Sequence, residues 1–147
     1  MKLPRYQLKS GDNLTTYEFI SEGPKGRISK LIQFTPTNLK EVYNLAFGDK
    51  NQLTGQIDDS VISNNNDSEK VLATVVATIY AFTDKYPDTW IYASGSTKSR
   101  TRLYRMGITK YLSEVINDFE IFGEINDGWE NFKKNIDYDG FLIKRKK

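Results

Sequence analysis

The stretch from Gly95 to Arg105 reads GSTKSRTRLYR and carries Lys98, Arg100, Arg102 and Arg105, with no acid between Asp88 and Glu114. The spacing predicts that these cations fall in and near the first two turns of a helix. The N-terminal end of a helix dipole favours anions, so each cation there costs roughly 0.3–1 kcal/mol. What such a pattern can do is capture an anion. Guanidinium groups bind phosphate or carboxylate through paired hydrogen bonds. Arg100 and Tyr104, at i and i+4, add a stacking surface suited to phosphates and bases. Gly95, Ser96 and Thr97 precede the helix and offer backbone N–H groups and two hydroxyls. The candidate anion site is therefore Gly95, Ser96, Thr97, Lys98, Arg100, Arg102 and Arg105. Three readings of the cations stand together: a solvated helix face, internal pairs with Asp58, Asp59 or Asp67, or contact with an external anion. Ser96 or Thr97 serves equally well as a plain N-cap.

Other chemistries are narrowed by what the chain lacks. It contains no His and no Cys. Ser-His-Asp and Cys-His nucleophile systems are therefore excluded, as are imidazole and thiolate zinc ligands. No Walker or dinucleotide fingerprint is present. Asp49, Asp58, Asp59 and Asp67 are candidate ligands for a hard cation, or simply turn, strand-edge and cap carboxylates. Any acid-base work falls to carboxylates, Lys or Tyr. Tyr104, Asp58 and Asp59 are the candidate catalytic residues of an enzymatic alternative. No metal and no cofactor is expected.

These residues must be positioned by a modest scaffold. A chain of 147 residues suits one domain, here 1–147 with a basic tail at 144–147. Its charge is uneven: residues 98–110 carry net +5, whereas 51–97 carry −4. Strands are read over Thr15–Thr37, folded back at Gly23-Pro24-Lys25-Gly26, and over Glu41–Asp49 and Gly55–Ser63. Asn66, with Glu69 as capping-box partner, opens a helix over Asp67–Lys85. Thr89–Ser94 is nearly all apolar and predicts a central strand covered on both faces. A second helix is expected over Thr97–Asp118, with Gly107 as a kink or break. Phe119–Asp127 and Asp139–Lys146 close the chain as strands, with Trp129–Lys134 unassigned between them. The order β-β-β-β-α-β-α-β-β is that of an α+β fold: a mainly antiparallel sheet of 6–7 strands with two long helices. The N-terminus has no apolar signal core, and no run approaches the ~18 apolar residues of a membrane span. With no Cys, a cytoplasmic protein without membrane contact is expected.

Two resemblances follow. FGD, DD, SNN, EKVLATVVATIYAFTDKYPD and GSTKSRTRLYRMGI together resemble a family of small bacterial single-domain proteins of unknown function. That likeness covers nearly the whole chain and implies no activity. The run from Val71 to Ile108 is similar to the back half of the GNAT acetyltransferases. Leu103-Tyr104 and Gly107-Ile108 match their helix, with one residue fewer between Tyr and Gly. This likeness implies that Tyr104 stands where a tyrosine often protonates the leaving coenzyme A thiolate. The pyrophosphate loop of that family is replaced here by SNNNDSEK, which has no glycine and two acids. The leading expectation is a binding module that presents a basic helix face to nucleic acid or an acidic protein. An acyltransferase-like enzyme is the alternative.

Overall fold

The computed structural model describes residues 5–11, 13–58, 64–94 and 98–146; side chains 98–100 and 103 lie outside that description. The described residues form an α+β fold of nine strands and three helices. The strands are β1 (Lys9–Ser10), β2 (Thr16–Gly23), β3 (Gly26–Pro36), β4 (Val42–Lys50), β5 (Ile57–Asp58), β6 (Trp90–Ala93), β7 (Phe119–Ile125), β8 (Gly128–Asn131) and β9 (Gly140–Arg145). The helices are α1 (Ser68–Lys85), α2 (Lys98–Lys110) and α3 (Leu112–Asp118). One sheet runs β1-β2-β3-β4-β6-β9-β7-β8, with β5 paired to β4. Every pairing is antiparallel except that of β4 with β6, which α1 connects.

Three differences from the sequence reading have local causes. The extra strands β1 and β8 are two and four residues long, too short for alternation to show. The fourth expected strand reduces to Ile57–Asp58, and 59–63 lie outside the described residues. The second helix is two helices. Its break falls at Tyr111, whose side chain turns into the core at 3 % exposure. Gly107 lies inside α2, and a Cβ there would meet Leu72 Cδ2 at 2.9 Å. Glycine is what lets α2 cross α1 this closely.

Alternation along the strands sorts the sheet into two faces. Tyr17, Phe19, Ile32, Phe34, Leu45, Phe47, Ile91, Phe141 and Ile143 face the helices and are buried. α1 answers with Val71, Leu72, Val75, Val76, Ile79 and Phe82. The Phe34 and Phe82 rings stack at 4.3 Å. Each such side chain stabilises by about 1.5–3 kcal/mol on full burial. The opposite face has no described helix over it, so β6 is central but not covered on both sides. There Lys50 reaches across β3 to Glu18 at 3.0 Å. Leu31, which lies between Glu18 and Gly48 in the register, is 4 % exposed.

Two predictions follow from the core. Ile91 is 0 % exposed, so Ile91→Asp should cost several kcal/mol and unfold the domain, because an unpaired charge would be buried. A folded variant with near-parental melting temperature would contradict the assignment. The Tyr17 hydroxyl is buried with no hydrogen-bond partner, and burial pushes its pKa up to about 12. An unfolded tyrosine gives up its proton near pH ~10. Between these values the folded state holds the extra proton, so stability falls as pH rises. Tyr17→Phe should be neutral or stabilising at neutral pH and should lose less stability than the parent on alkaline denaturation. Equal losses would show that Tyr17 is not sealed in the fold.

Candidate anion-binding face

The α1 wall of the site is set by a polar clamp. Asp67 at the α1 N-cap makes no capping bond. Its carboxylate accepts instead from the hydroxyls of Tyr6 and Ser21. Asn65 Nδ2 donates to Gly26 O at 2.9 Å and to Ser21 Oγ at 3.2 Å, while Lys25 N donates to Asn65 Oδ1 at 2.7 Å. Asn66, expected as the cap, sits at φ 59° and directs the chain into the helix without capping it. A Cβ on Gly23 would lie 2.0 Å from Asn65 O, so only glycine admits this approach. The clamp fixes the first turn of α1 against the β2–β3 hairpin.

α2 lies antiparallel to α1, with Gly107 over Leu72 and Lys110 beside Glu69. Between the start of α1, α2 and the β8–β9 loop runs an open groove of about 540 Å³. Arg105, Met106, Thr109 and Lys110 line one side, and Ser68, Glu69 and Asn135 the others. The first-turn N–H groups of α1 lie beside it, at the positive end of that helix dipole. Arg105 Nη1 pairs with Asp137 Oδ1 at 3.4 Å and donates to Ile136 O at 3.4 Å. Lys110 pairs with Glu69, and that hydrogen bond raises the Lys110 pKa above its ordinary value. Both acids are open to water, with Asp137 at 95 % and Glu69 at 76 % side-chain exposure. Exposed pairs of this kind are screened and hold weakly. Arg102 is exposed, one turn before Arg105.

Of the sequence-predicted site residues, Arg102 and Arg105 stand on the same stretch of α2. The side chains of Lys98 and Arg100 lie outside the described residues, as do Gly95, Ser96 and Thr97 entirely. The acid found beside Arg105 is Asp137, and Asp67 is engaged by Tyr6 and Ser21. Tyr104 is 6 % exposed, next to an apolar cavity of about 30 Å³ between α1, α2 and the sheet. Asp58 sits opposite Asp49 across β4 and β5, and Asp59 lies outside the described residues. Among the described residues no three carboxylates gather to hold a metal ion. Lys144 and Arg145 belong to β9: Lys144 lies over Trp90, and Arg145 pairs with Asp84 at 2.8 Å.

Asp49, read in the sequence as a metal ligand or a turn carboxylate, instead forms an ion pair with Lys30 on the helix-facing side of the sheet, at 7 % and 4 % exposure, a pairing the sequence reading missed. The signal was present. Lys30 interrupts the alternation of Ile28, Ile32 and Phe34, and Asp49 that of Leu45 and Phe47. Two polar residues in apolar slots of neighbouring strands are readable as partners. Lys30→Met leaves a buried carboxylate alone and should cost about 3–5 kcal/mol, whereas Lys30→Met with Asp49→Leu should recover much of that loss. Urea denaturation of both variants measures it, and a single variant as stable as the parent would contradict the burial of the pair.

The chain belongs to a family of unknown function, DUF6934, which matches residues 2–146. Neither a curated protein nor a solved structure matches it. No described helix is long and apolar enough to cross a membrane.

Proposed function

We propose that this chain is a binding module whose α2 face and adjoining groove receive an anionic partner, a nucleic-acid backbone or an acidic protein segment. The observation that carries the proposal is the groove itself. It gathers Arg105, Lys110, the N-terminal dipole of α1 and the polar groups of Ser68, Thr109 and Asn135 around one open space. Glu69 is the one acid lining it, and it is exposed. Lys98–Lys110 itself contains no acid. An incoming phosphate or carboxylate takes over Arg105 and Lys110 from Asp137 and Glu69, exchanging weak solvent-screened pairs for charge-assisted ones. Arg102, one turn before Arg105, extends the cationic track along α2, and the same acid-free run of sequence adds Gly95, Ser96, Thr97, Lys98 and Arg100 to the proposed site.

The acyltransferase alternative finds less support. Tyr104 is buried, and the neighbouring cavity of about 30 Å³ is the size of a water molecule or a methyl group, not of a thioester. The SNNNDSEK stretch before α1 has no glycine, so it lacks the loop that cradles a pyrophosphate in that family.

Salt tests the proposal. If Arg100, Arg102 and Arg105 contact three phosphates of duplex DNA, log affinity should fall against log salt with a slope of about −2.7. Changing the three to Gln should abolish most of that slope and weaken binding, with little loss of thermal stability. Glu69→Gln with Asp137→Asn should tighten binding, since the internal competitors are gone. Fluorescence anisotropy with a labelled duplex measures all three proteins. A poly-glutamate competitor that binds the parent while DNA does not would select the acidic protein segment. A parent that binds neither polyanion at low salt would sink the reading.

A further inference from the structure

The face of the sheet opposite the helices holds a feature that anion binding does not use. Register places Trp90 and Tyr92 of β6, Leu142 of β9, Phe122 of β7 and Trp129 of β8 together on it. Tyr92, Leu142 and Phe122 form one cross-strand row. The Trp90 and Phe122 rings lie 6.0 Å apart, as do those of Tyr92 and Trp129. Trp129 is 45 % exposed. All three helices pack on the other face, where α1 and α2 meet Leu45, Ala93 and Ile143 and Tyr80 of α1 meets Phe119.

The charges around this patch are matched. Lys9 lies opposite Glu18, Arg27 opposite Glu22 and Lys144 opposite Glu120, and Lys50 bonds Glu18. Glu124 accepts from the Tyr92 hydroxyl at 2.8 Å. Four cations against four acids, each cation beside an acid, attract no polyanion. An aromatic centre inside a neutral rim suits a protein surface of the same kind.

We propose that the occupant is a second copy of this chain, stacked face to face about a twofold axis along the Tyr92–Leu142–Phe122 row. That axis reverses strand direction. It carries Lys144 of one copy over the Gly140–Glu124 end of the other, so the one cation of the patch meets an acid from each copy. On the axis itself, Tyr92, Leu142 and Phe122 of one copy meet the same residues of the other, as in aligned sheet packing.

The chain has two Trp, and both lie on this face. Light scattering coupled to gel filtration should give twice the mass of one chain at micromolar concentration. Dilution should shift tryptophan emission to the red as mass falls to that of one chain. Trp129→Arg should be monomeric at all concentrations with unchanged circular dichroism and melting, because an exposed edge residue is not needed for the fold. Arg102→Glu, on the helix side, should remain dimeric. A parent that is monomeric throughout overturns the proposal, whether or not another protein or nucleic acid then binds the patch. So does a Trp129→Arg variant that dimerises like the parent, since the contact would then lie elsewhere.

Discussion

Everything in this fold hangs on the pairing of β4 with β6. Two parallel strands cannot be joined by a tight turn; the chain must travel the length of the sheet and return. α1 makes that return, and it does so by burying one apolar side from Val71 to Phe82 on the sheet. Once α1 is seated, its surface becomes the floor for the next element. Gly107 lets α2 sink onto Leu72, and Tyr111 turns inward to end α2. α3 then runs back along α1 to deliver Phe119 beside Tyr80 and start β7. The groove beside Arg105 and Lys110 is a consequence of this stacking, since it is the space that two antiparallel helices leave at the start of α1.

The polar interactions are arranged to hold that start in place. Asp67 would ordinarily cap α1. It is held instead by Tyr6 and Ser21, while Asn65 binds the backbone of the β2–β3 turn. A cap stabilises a helix locally, but these bonds join residues far apart in the chain and so fix where the helix begins on the sheet. Lys30 and Asp49 act in the same direction. A buried ion pair adds little net stability compared with apolar residues of the same volume, yet a one-residue slip of β3 against β4 would strand both charges. It therefore fixes register more than it adds energy.

The sequence was readable where one periodicity ran for many residues. α1 ran from Ser68 to Lys85 against an expectation of Asp67–Lys85, because six apolar side chains at helical spacing leave no other reading. The long strands β2, β3, β4, β7 and β9 were equally plain, as was the mostly antiparallel α+β class. Short elements were not: β1 and β8 exist because a neighbour offers them hydrogen bonds, and no local pattern of two to four residues encodes that. The break at Tyr111 was misplaced to Gly107 because glycine was weighed as a helix breaker, whereas its lack of a side chain mattered for contact with Leu72. The strand Thr89–Ser94 was read as covered on both faces because it is apolar throughout. Its two halves are different: Ile91 and Ala93 are sealed under helices, while Trp90 and Tyr92 lie among other aromatics on the far side. For the site, the cationic run was legible as a charge anomaly. The acids that answer it, Asp137 and Glu69, were not, because they come from a loop and from another helix.

The two surfaces differ in chemistry because the sheet divides the charges between them. On the helix side, cations of α2 meet acids carried by other elements, at the ends of long exposed side chains. Those pairs are screened by solvent and hold weakly. On the far side, Lys9, Arg27 and Lys144 lie opposite acids on the next strand and Lys50 bonds Glu18 across β3, so the charges of the described strands are matched there. If the far sides of two copies are stacked, both grooves face outward on opposite surfaces of the dimer. A single short polyanion then cannot engage both, and linking the two sites brings no gain in effective concentration. Two grooves in one assembly would instead hold two separate anionic segments, or two distant parts of a long one, so dimerisation would change what is brought together and leave the affinity of each groove as it was.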